Sequence, residues 1–199
     1  MEKYSILPNE PIVNAGPIAK AFLDLKIDSF LAACRYVHEL PYGYNSNRDD
    51  LMILFKENKG SCATKHAVIA TLANELNVSL FKHIGIYAMT DKIVTGTIKI
   101  LDAFNLPYLP MVHCFLMYNN HHRIDLSEGN ANGKNGPINE FLYTVKVIPN
   151  IPEKEEYLLY RRALQDHILD RREFNGVELK TILKARELGV ALLRSIVRK

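Results

Sequence analysis

The stretch GSCATKHAVIATLANEL, residues 60–76, contains a long helical pattern that opens on a cysteine. Its apolar positions follow the helical period and are Ala67, Val68, Ile69, Leu72, Ala73 and Leu76. This period predicts a buried helix with Cys62 in its first turn. A helix N-terminus lowers the pKa of a thiol, and its free N–H groups can stabilise an oxyanion. Gly60 admits backbone geometry that a side chain would block, and Ser61 can cap the helix.

Strand patterns follow this helix. The predicted strands are 79–89, 111–117, 123–126 and 141–148. A short helix is expected over 92–104, and Asn119-Asn120 is a turn signal that makes the second and third strands a hairpin. The segment 127–139 is rich in turn residues and is predicted to be a long loop.

Helical patterns flank these strands on both sides. Two short helices are predicted within 17–40, with Asp28 as a cap for the second, and further helices from residue 153 onward. Helices, then antiparallel strands, then helices predict an α+β fold and not the strand–helix alternation of a parallel sheet.

Composition excludes several classes of function. The chain has 199 residues, is 48% hydrophobic and 24% charged, and has a formal net charge of only +3, which predicts a soluble globular protein and no nucleic-acid partner. The N-terminal residues lack an apolar signal region and no run of eighteen apolar residues occurs, so no membrane partner and a cytoplasmic location are expected. The three cysteines have no CxxC spacing, and Cys34 and Cys114 are interpreted as small buried hydrophobic residues.

His113 is the candidate base for Cys62. It lies on the predicted strand 111–117, and Asp125 on the return strand would orient its imidazole and favour the charged form. The two side chains face each other directly if Met117 lies opposite His121, with residues 118–120 as a three-residue loop. A loop of two or four residues would place Asp125 on the other face of the hairpin.

His66 lies four residues after Cys62 on the same helix face, which favours a packing or supporting role over that of a base. A zinc ion bound by Cys62, His66 and His113 is an alternative. No CxxC or HExxH spacing supports it, so neither a metal nor a cofactor is expected.

Three motifs together resemble the transglutaminase-like superfamily over about residues 41–127. They are KGSCATKHA at 59–67, HCF at 113–115 and IDLS at 124–127. The resemblance implies a papain-like α+β core in which the buried cysteine helix packs on an antiparallel sheet. It also implies Cys62, His113 and Asp125 as a catalytic triad that works through a thioester acyl-enzyme.

The resemblance also suggests how the chain is organised. Residues 1–40 form an N-terminal helical segment, 41–150 the transglutaminase-like catalytic core and 151–199 a C-terminal helical extension, all within one compact domain. The two helical segments lie outside the resemblance.

This chain departs from the superfamily because it contains no tryptophan. Phe115 takes the aromatic position after the histidine, and the side chain that would bind the oxyanion is unassigned. Tyr44, Asn45 and Asn47 are the candidates for it. Ser61, Phe115 and His66 complete the set of residues expected at the oxyanion or substrate.

The expected function is that of a cysteine-nucleophile enzyme that attacks amide or peptide carbonyls. Its partner would be a protein or peptide substrate, with water or a small amine as the acceptor, so that it is either a peptidase or deamidase, or a transglutaminase-like acyltransferase. A non-catalytic protein-binding module that retains the fold is the alternative, because a fold alone does not establish activity.

Overall fold

The computed structural model describes residues 4–197 and has a mixed α+β architecture. Over these residues it contains seven α-helices and one four-stranded antiparallel sheet. The helices are α1 (Pro17–Asp24), α2 (Phe30–Glu39), α3 (Ile53–Glu57), α4 (Cys62–Glu75), α5 (Thr97–Phe104), α6 (Glu153–Ala163) and α7 (Leu179–Val197). The strands are β1 (Leu80–Met89), β2 (Leu109–Tyr118), β3 (His122–Ile124) and β4 (Tyr143–Lys146). A π-helical turn (Leu164–Ile168) and a 3-10 turn (Arg172–Phe174) connect α6 to α7.

The sheet has the order β3-β2-β1-β4, and all neighbouring strands are antiparallel. β1 and β2 pair along their whole length, from Leu80 opposite Tyr118 to Met89 opposite Leu109. This pairing places His113 on a central strand, opposite Gly85. The short strand β3 pairs only with residues 116–118 of β2, so β1 is the strand that fixes the position of His113.

Helix α4 is buried almost all round, as the sequence predicted. Ten of its residues are buried, including the charged or polar Lys65 and His66. One hydrophobic cluster packs α4 against α1 and α2, with Phe22, Phe30 and Ile69 fully buried in it. A second cluster packs the Met89–Leu109 end of the sheet against α5, α6 and α7.

Charged side chains tie the N-terminal helices to α4. The carboxylate of Glu75 accepts hydrogen bonds from the backbone N–H groups of Ile18 (3.1 Å) and Ala19 (2.6 Å), and so caps the start of α1. The buried ammonium of Lys65 donates to the carbonyl oxygens of His38 (3.0 Å) and Leu40 at the end of α2. These contacts fix where the chain leaves α2 and enters the segment that precedes Cys62.

Several element boundaries differ from the predicted ones. Ser29, and not Asp28, caps α2, because its Oγ accepts from the N–H of Ala32 (3.4 Å). Helix α5 begins at Thr97 and not at residue 92, because the carboxylate of Asp91 accepts from the N–H groups of Gly96 and Ile98 and holds residues 91–96 in a turn. β4 covers only 143–146 of the predicted 141–148, and the short helix α3 has no counterpart in the prediction.

The register of the β2–β3 hairpin is also different. Tyr118 pairs with His122 and Leu116 with Ile124, so the three-residue loop is 119–121, one residue later than predicted. Tyr118 stays in the sheet because it pairs with Leu80 on β1, and Asn119 donates its N–H to Ser79. Asn119 and Asn120 both adopt the left-handed conformation that the loop requires. The pairing register of the two strands differs from the predicted one by two residues, and an even shift keeps Asp125 on the predicted face of the sheet. Asp125 therefore lies diagonal to His113 and not opposite it.

No helix within residues 4–197 has both the length and the apolar character needed to cross a membrane.

The contact between Gly85 and Phe141 gives a test of the packing behind His113. A Cβ on Gly85 would lie 2.2 Å from Cδ1 of Phe141, whose ring stacks on Phe115. We expect Gly85→Ala to lower the free energy of unfolding by about 1–3 kcal/mol, because the rigid ring must leave its place. Urea denaturation measures this change. The control is Gly136→Ala, whose Cβ meets nothing within 4 Å; equal stability of both variants would contradict the packing.

Candidate functional site

A cavity of about 290 Å³ lies at the N-terminus of α4. Its wall comes from six parts of the chain: residues 42–48, the start of α4 around Cys62, Tyr87 of β1, residues 111–114 of β2, the start of α6, and the face of α7 that carries Arg194. Lys134 reaches it from the long loop. Residues that are far apart in the sequence thus surround the thiol.

His113 and Asp125 form a direct hydrogen bond inside the protein. Nε2 of His113 lies 2.6 Å from Oδ2 of Asp125. The other carboxylate oxygen, Oδ1, accepts from the backbone N–H (2.8 Å) and the hydroxyl (2.7 Å) of Ser127. Burial alone would raise the pKa of Asp125, but the charge and hydrogen bond of His113, with help from His66 and Ser127, lower it far below its ordinary value. Asp125 is therefore a carboxylate held in one orientation.

The second ring nitrogen of His113, Nδ1, has a different environment. Nδ1 is buried and has no hydrogen-bond partner among the side chains and backbone of the described residues. Burial lowers the pKa of His113, but the negative charges of Cys62 and Asp125 outweigh it, and the net pKa is raised. Because Nε2 is engaged by Asp125, Nδ1 is the nitrogen left for exchanging protons with Cys62, which lines the same cavity.

The pKa of Cys62 is well below its ordinary value. Interaction with the neighbouring Cys114 contributes most, burial opposes it, and the charges of His113 and Lys134 lower the pKa further. The same interaction raises the pKa of Cys114. The pKa shifts of Cys62 and His113 both favour the thiolate of Cys62 and the imidazolium of His113 as neighbouring charges.

His66, one turn after Cys62 on α4, contacts the chain at Asp125 and Leu126. Its Nε2 accepts from the backbone N–H of Leu126 (2.8 Å) and lies 3.5 Å from Oδ1 of Asp125. Burial lowers the pKa of His66 to about 4, so the ring is neutral and its proton is on Nδ1. His66 does not line the cavity, so it is not placed to bind an oxyanion or a substrate; its contacts are with Leu126 and Asp125.

The amide candidates for the oxyanion are already engaged. Nδ2 of Asn45 donates to the carbonyl of Lys59 (3.0 Å) and to Glu57 (3.0 Å), and its Oδ1 accepts from Thr64 (2.8 Å). Oδ1 of the exposed Asn47 accepts from the N–H of Asp49 (3.1 Å). Both residues line the cavity. The donor group of Asn45 is occupied within the loop before Cys62, whereas Asn47 uses only its acceptor oxygen in a turn.

Ser61, Tyr44 and Phe115 are placed differently from one another. Ser61 is the N-cap residue of α4, but its side chain makes no capping hydrogen bond, which corrects the expected cap. Tyr44 lines the cavity, with the guanidinium of Arg194 5.1 Å from its ring. Phe115 does not line this cavity. It stacks between Phe141 (4.9 Å) and His83 (5.5 Å), and so supports the strand that carries His113.

The role of Gly60 differs from the expected one. Gly60 does not need an unusual backbone conformation; instead, a Cβ there would lie 2.9 Å from Oγ1 of Thr64 and 3.0 Å from Leu54. The N–H of Gly60 donates to the carbonyl of Pro41, and its carbonyl accepts from the N–H of Gly43. Glycine thus allows the segment 41–43 and the start of α4 to lie side by side.

Two tyrosines at the cavity were missed in the sequence. The hydroxyl of Tyr42 hydrogen-bonds with the backbone and the side chain of Cys62, and burial is the main cause of its raised pKa. The hydroxyl of Tyr87 is buried in the cavity wall and has no partner within the described part of the chain. The only sequence signal for Tyr42 was its place in the turn-rich run 41–47, next to the predicted site. The strand pattern did not distinguish Tyr87 from the other residues of its strand.

Among residues 4–197, no group of three or more His, Cys, Asp or Glu side chains is arranged to hold a metal ion. In the alternative zinc site, His66 and His113 would be ligands together with Cys62. Their Nε2 atoms already contact Leu126 and Asp125, respectively.

No protein-family model, curated protein or solved structure matches this chain. What the site does must therefore follow from its geometry.

The charge state of Cys62 can be tested by alkylation. Because the pKa of Cys62 is lowered, we expect iodoacetamide at pH 6 to modify Cys62 at least about 10-fold faster than an ordinary cysteine. His113→Ala removes the adjacent positive charge, so the pKa of Cys62 rises and the rate profile moves to higher pH. Peptide mapping at a series of pH values measures this. His121→Ala, an exposed histidine in the hairpin loop, is the control; an ordinary thiol profile in the wild type would contradict the ion pair.

Proposed function

We propose that this protein is an enzyme that attacks amide or peptide carbonyls with Cys62 and passes through a thioester acyl-enzyme. One observation carries the proposal: His113 holds Asp125 through Nε2 (2.6 Å) and keeps a buried, unpaired Nδ1 beside the cavity of Cys62. The Nδ1 atoms of His66 and His83 are also buried and unpaired, but among the described residues only His113 has such a nitrogen in the wall of the Cys62 cavity. A nucleophile, a base and a group that orients the base are therefore adjacent.

In the first step, the thiolate of Cys62 attacks the carbonyl carbon and the carbonyl π electrons move onto oxygen. When the tetrahedral intermediate collapses, the C–N bond breaks, and the imidazolium of His113 donates its Nδ1 proton to the departing amine. The products are a free amine and a thioester on Cys62. His113 is then neutral, with its Nε2–H donated to Asp125.

The oxyanion needs donors close to the sulfur atom. The N–H groups in the first turn of α4 supply helix N-terminal donors, and the hydroxyl of Tyr87 lies in the same wall without a partner among the described residues. With the amide of Asn45 engaged elsewhere, this hydroxyl takes the place of the amide side chain that the sequence had suggested. Tyr44 remains a further hydroxyl of the wall.

In the second step, His113 removes a proton from water or from an amine, which attacks the thioester and releases Cys62 as thiolate. Water as acceptor makes the protein a peptidase or deamidase, and an amine makes it a transglutaminase-like acyltransferase. Both outcomes use the same residues, with a protein or peptide as acyl donor.

The finer assignment of the fold belongs to the same proposal. Cys62 begins a buried helix, and His113 lies on the second strand of the antiparallel sheet that follows. This order, with Asp125 just after the third strand, supports a papain-like, transglutaminase-like core flanked by extra helices at both ends.

Trapping the acyl-enzyme tests the proposal. We expect the 4-nitrophenyl esters of N-acetylglutamine and N-acetylalanine to leave one acyl group on Cys62, seen by intact mass and peptide mapping and released by hydroxylamine. Cys62→Ala should abolish the adduct, and His113→Gln should slow its formation about 100-fold because the base is lost. Adding an amine shows whether it or water takes the acyl group.

Cys34→Ala is the control, since Cys34 is buried in the N-terminal cluster away from the cavity. If no acyl group forms on Cys62, or if acylation is as fast at the other cysteines, the chain is better described as a non-catalytic binding module.

A further inference from the structure

Three basic side chains line the cavity of Cys62 without an acidic partner. They are Lys134 in the long loop and Arg186 and Arg194 on α7. Within residues 4–197, none of these three side chains forms an ion pair or a hydrogen bond. Arg48, a fourth basic residue of the wall, differs because its guanidinium donates to both carboxylate oxygens of Glu156 (2.9 and 2.5 Å).

Acidic residues do not neutralise the three cations. Two carboxylates line the cavity: Glu156 is occupied by Arg48, and Glu153 is exposed at the start of α6. Four basic groups thus face two acidic ones, and the excess lies on the side formed by α7 and the long loop.

Aromatic rings hold the two arginines in place. The guanidinium of Arg194 lies 5.1 Å from the ring centroid of Tyr44, and that of Arg186 lies 5.1 Å from Tyr160 and 5.5 Å from Tyr157. A ring contacts the face of a guanidinium and leaves the N–H groups at its edge free to donate. The Nε of Arg186 is moreover buried and has no partner within the described chain.

Lys134 is held in a similar way, with its Nζ 5.8 Å from the ring of Tyr42. Tyr42 contacts Cys62, so Lys134 lies on the nucleophile's side of the cavity. The cations therefore extend from the thiol to α7.

The spacing along α7 describes the shape of a ligand. Along α7, Val190, Leu193 and Arg194 follow Arg186 by four, seven and eight residues. The four side chains therefore form one stripe of the helix, and this stripe lines the cavity. Two apolar side chains thus lie between two guanidinium groups. Such a wall suits an apolar stem that ends in an anion.

We infer that the acyl donor carries a carboxylate, joined by a short apolar stem to the carbonyl that Cys62 attacks, and that the guanidinium groups on α7, Arg186 and Arg194, bind that carboxylate according to the length of the stem, while Lys134 adds positive charge beside the thiol. This inference rests on the proposed function and adds the class of substrate to it. The bond that forms and the bond that breaks are those of the thioester step, and the carboxylate takes no part in them.

Matched acyl probes test this inference. We use the mono-4-nitrophenyl esters of adipic and suberic acid, their neutral carboxamide analogues, and the ester of 6-aminohexanoic acid, and follow acylation of Cys62 by nitrophenolate release and intact mass. We expect at least one carboxylate ester to react about 10-fold faster than its carboxamide, since guanidinium–carboxylate hydrogen bonds are strong. The ammonium ester should be slowest, and added salt should reduce the preference.

Arg186→Gln and Arg194→Gln should each lower the preference severalfold, while the rate with the carboxamide esters changes less than about twofold. Lys184→Gln on the exposed side of α7 is the control and should leave the preference unchanged. Equal rates with carboxylate and carboxamide esters, or a faster ammonium ester, overturn the inference but leave the proposed function intact. If no ester acylates Cys62, the proposed function itself fails.

Discussion

The hydrogen bond between His113 and Asp125 is the interaction on which the rest of the site depends. It places a carboxylate inside the protein, where an unpaired charge would be costly, and two neighbours stabilise it by hydrogen bonds: His113 and Ser127. Removing one partner of such a buried pair typically costs about 3–5 kcal/mol. The pair therefore defines both the charge of the imidazole and the path of the chain just after β3.

This constraint also explains why α4 carries polar residues in an otherwise apolar interior. His66 accepts the N–H of Leu126 and so fixes the backbone next to Asp125, while Lys65, one residue earlier, holds the end of α2. One buried helix thus positions the thiol at its first residue, the supporting imidazole one turn later and the N-terminal helices through a lysine. The contacts made by α4 therefore determine the geometry around the thiol.

Much of this could be predicted from local patterns. Cys62 could be recognised because adjacent residues signal the start of a helix, and α4 begins at Cys62. His113 and Asp125 were paired correctly although the hairpin register was wrong by two. Side chains alternate along a strand with period two, so an even shift of register returns Asp125 to the same face of the sheet.

Residues that tertiary contacts bring to the cavity could not be predicted. Tyr42, Lys134 and Arg194 sit in a turn-rich segment, a long loop and an amphipathic helix, and no period or spacing connects them with Cys62. The oxyanion candidates failed for a related reason. An amide such as that of Asn45 has the right chemistry in any turn, and only the fold shows that Lys59, Glu57 and Thr64 have already engaged it.

The participation of α7 in the cavity wall has a consequence for the order of events during synthesis. Cys62, His113 and Asp125 all leave the ribosome before Arg186 and Arg194 do, because the chain is made from its N-terminus. A nascent chain can thus contain Cys62, His113 and Asp125 before it contains the part of the cavity wall that α7 supplies. Contacts over such long sequence separations form slowly, so the docking of α7 completes the cavity around Cys62 last.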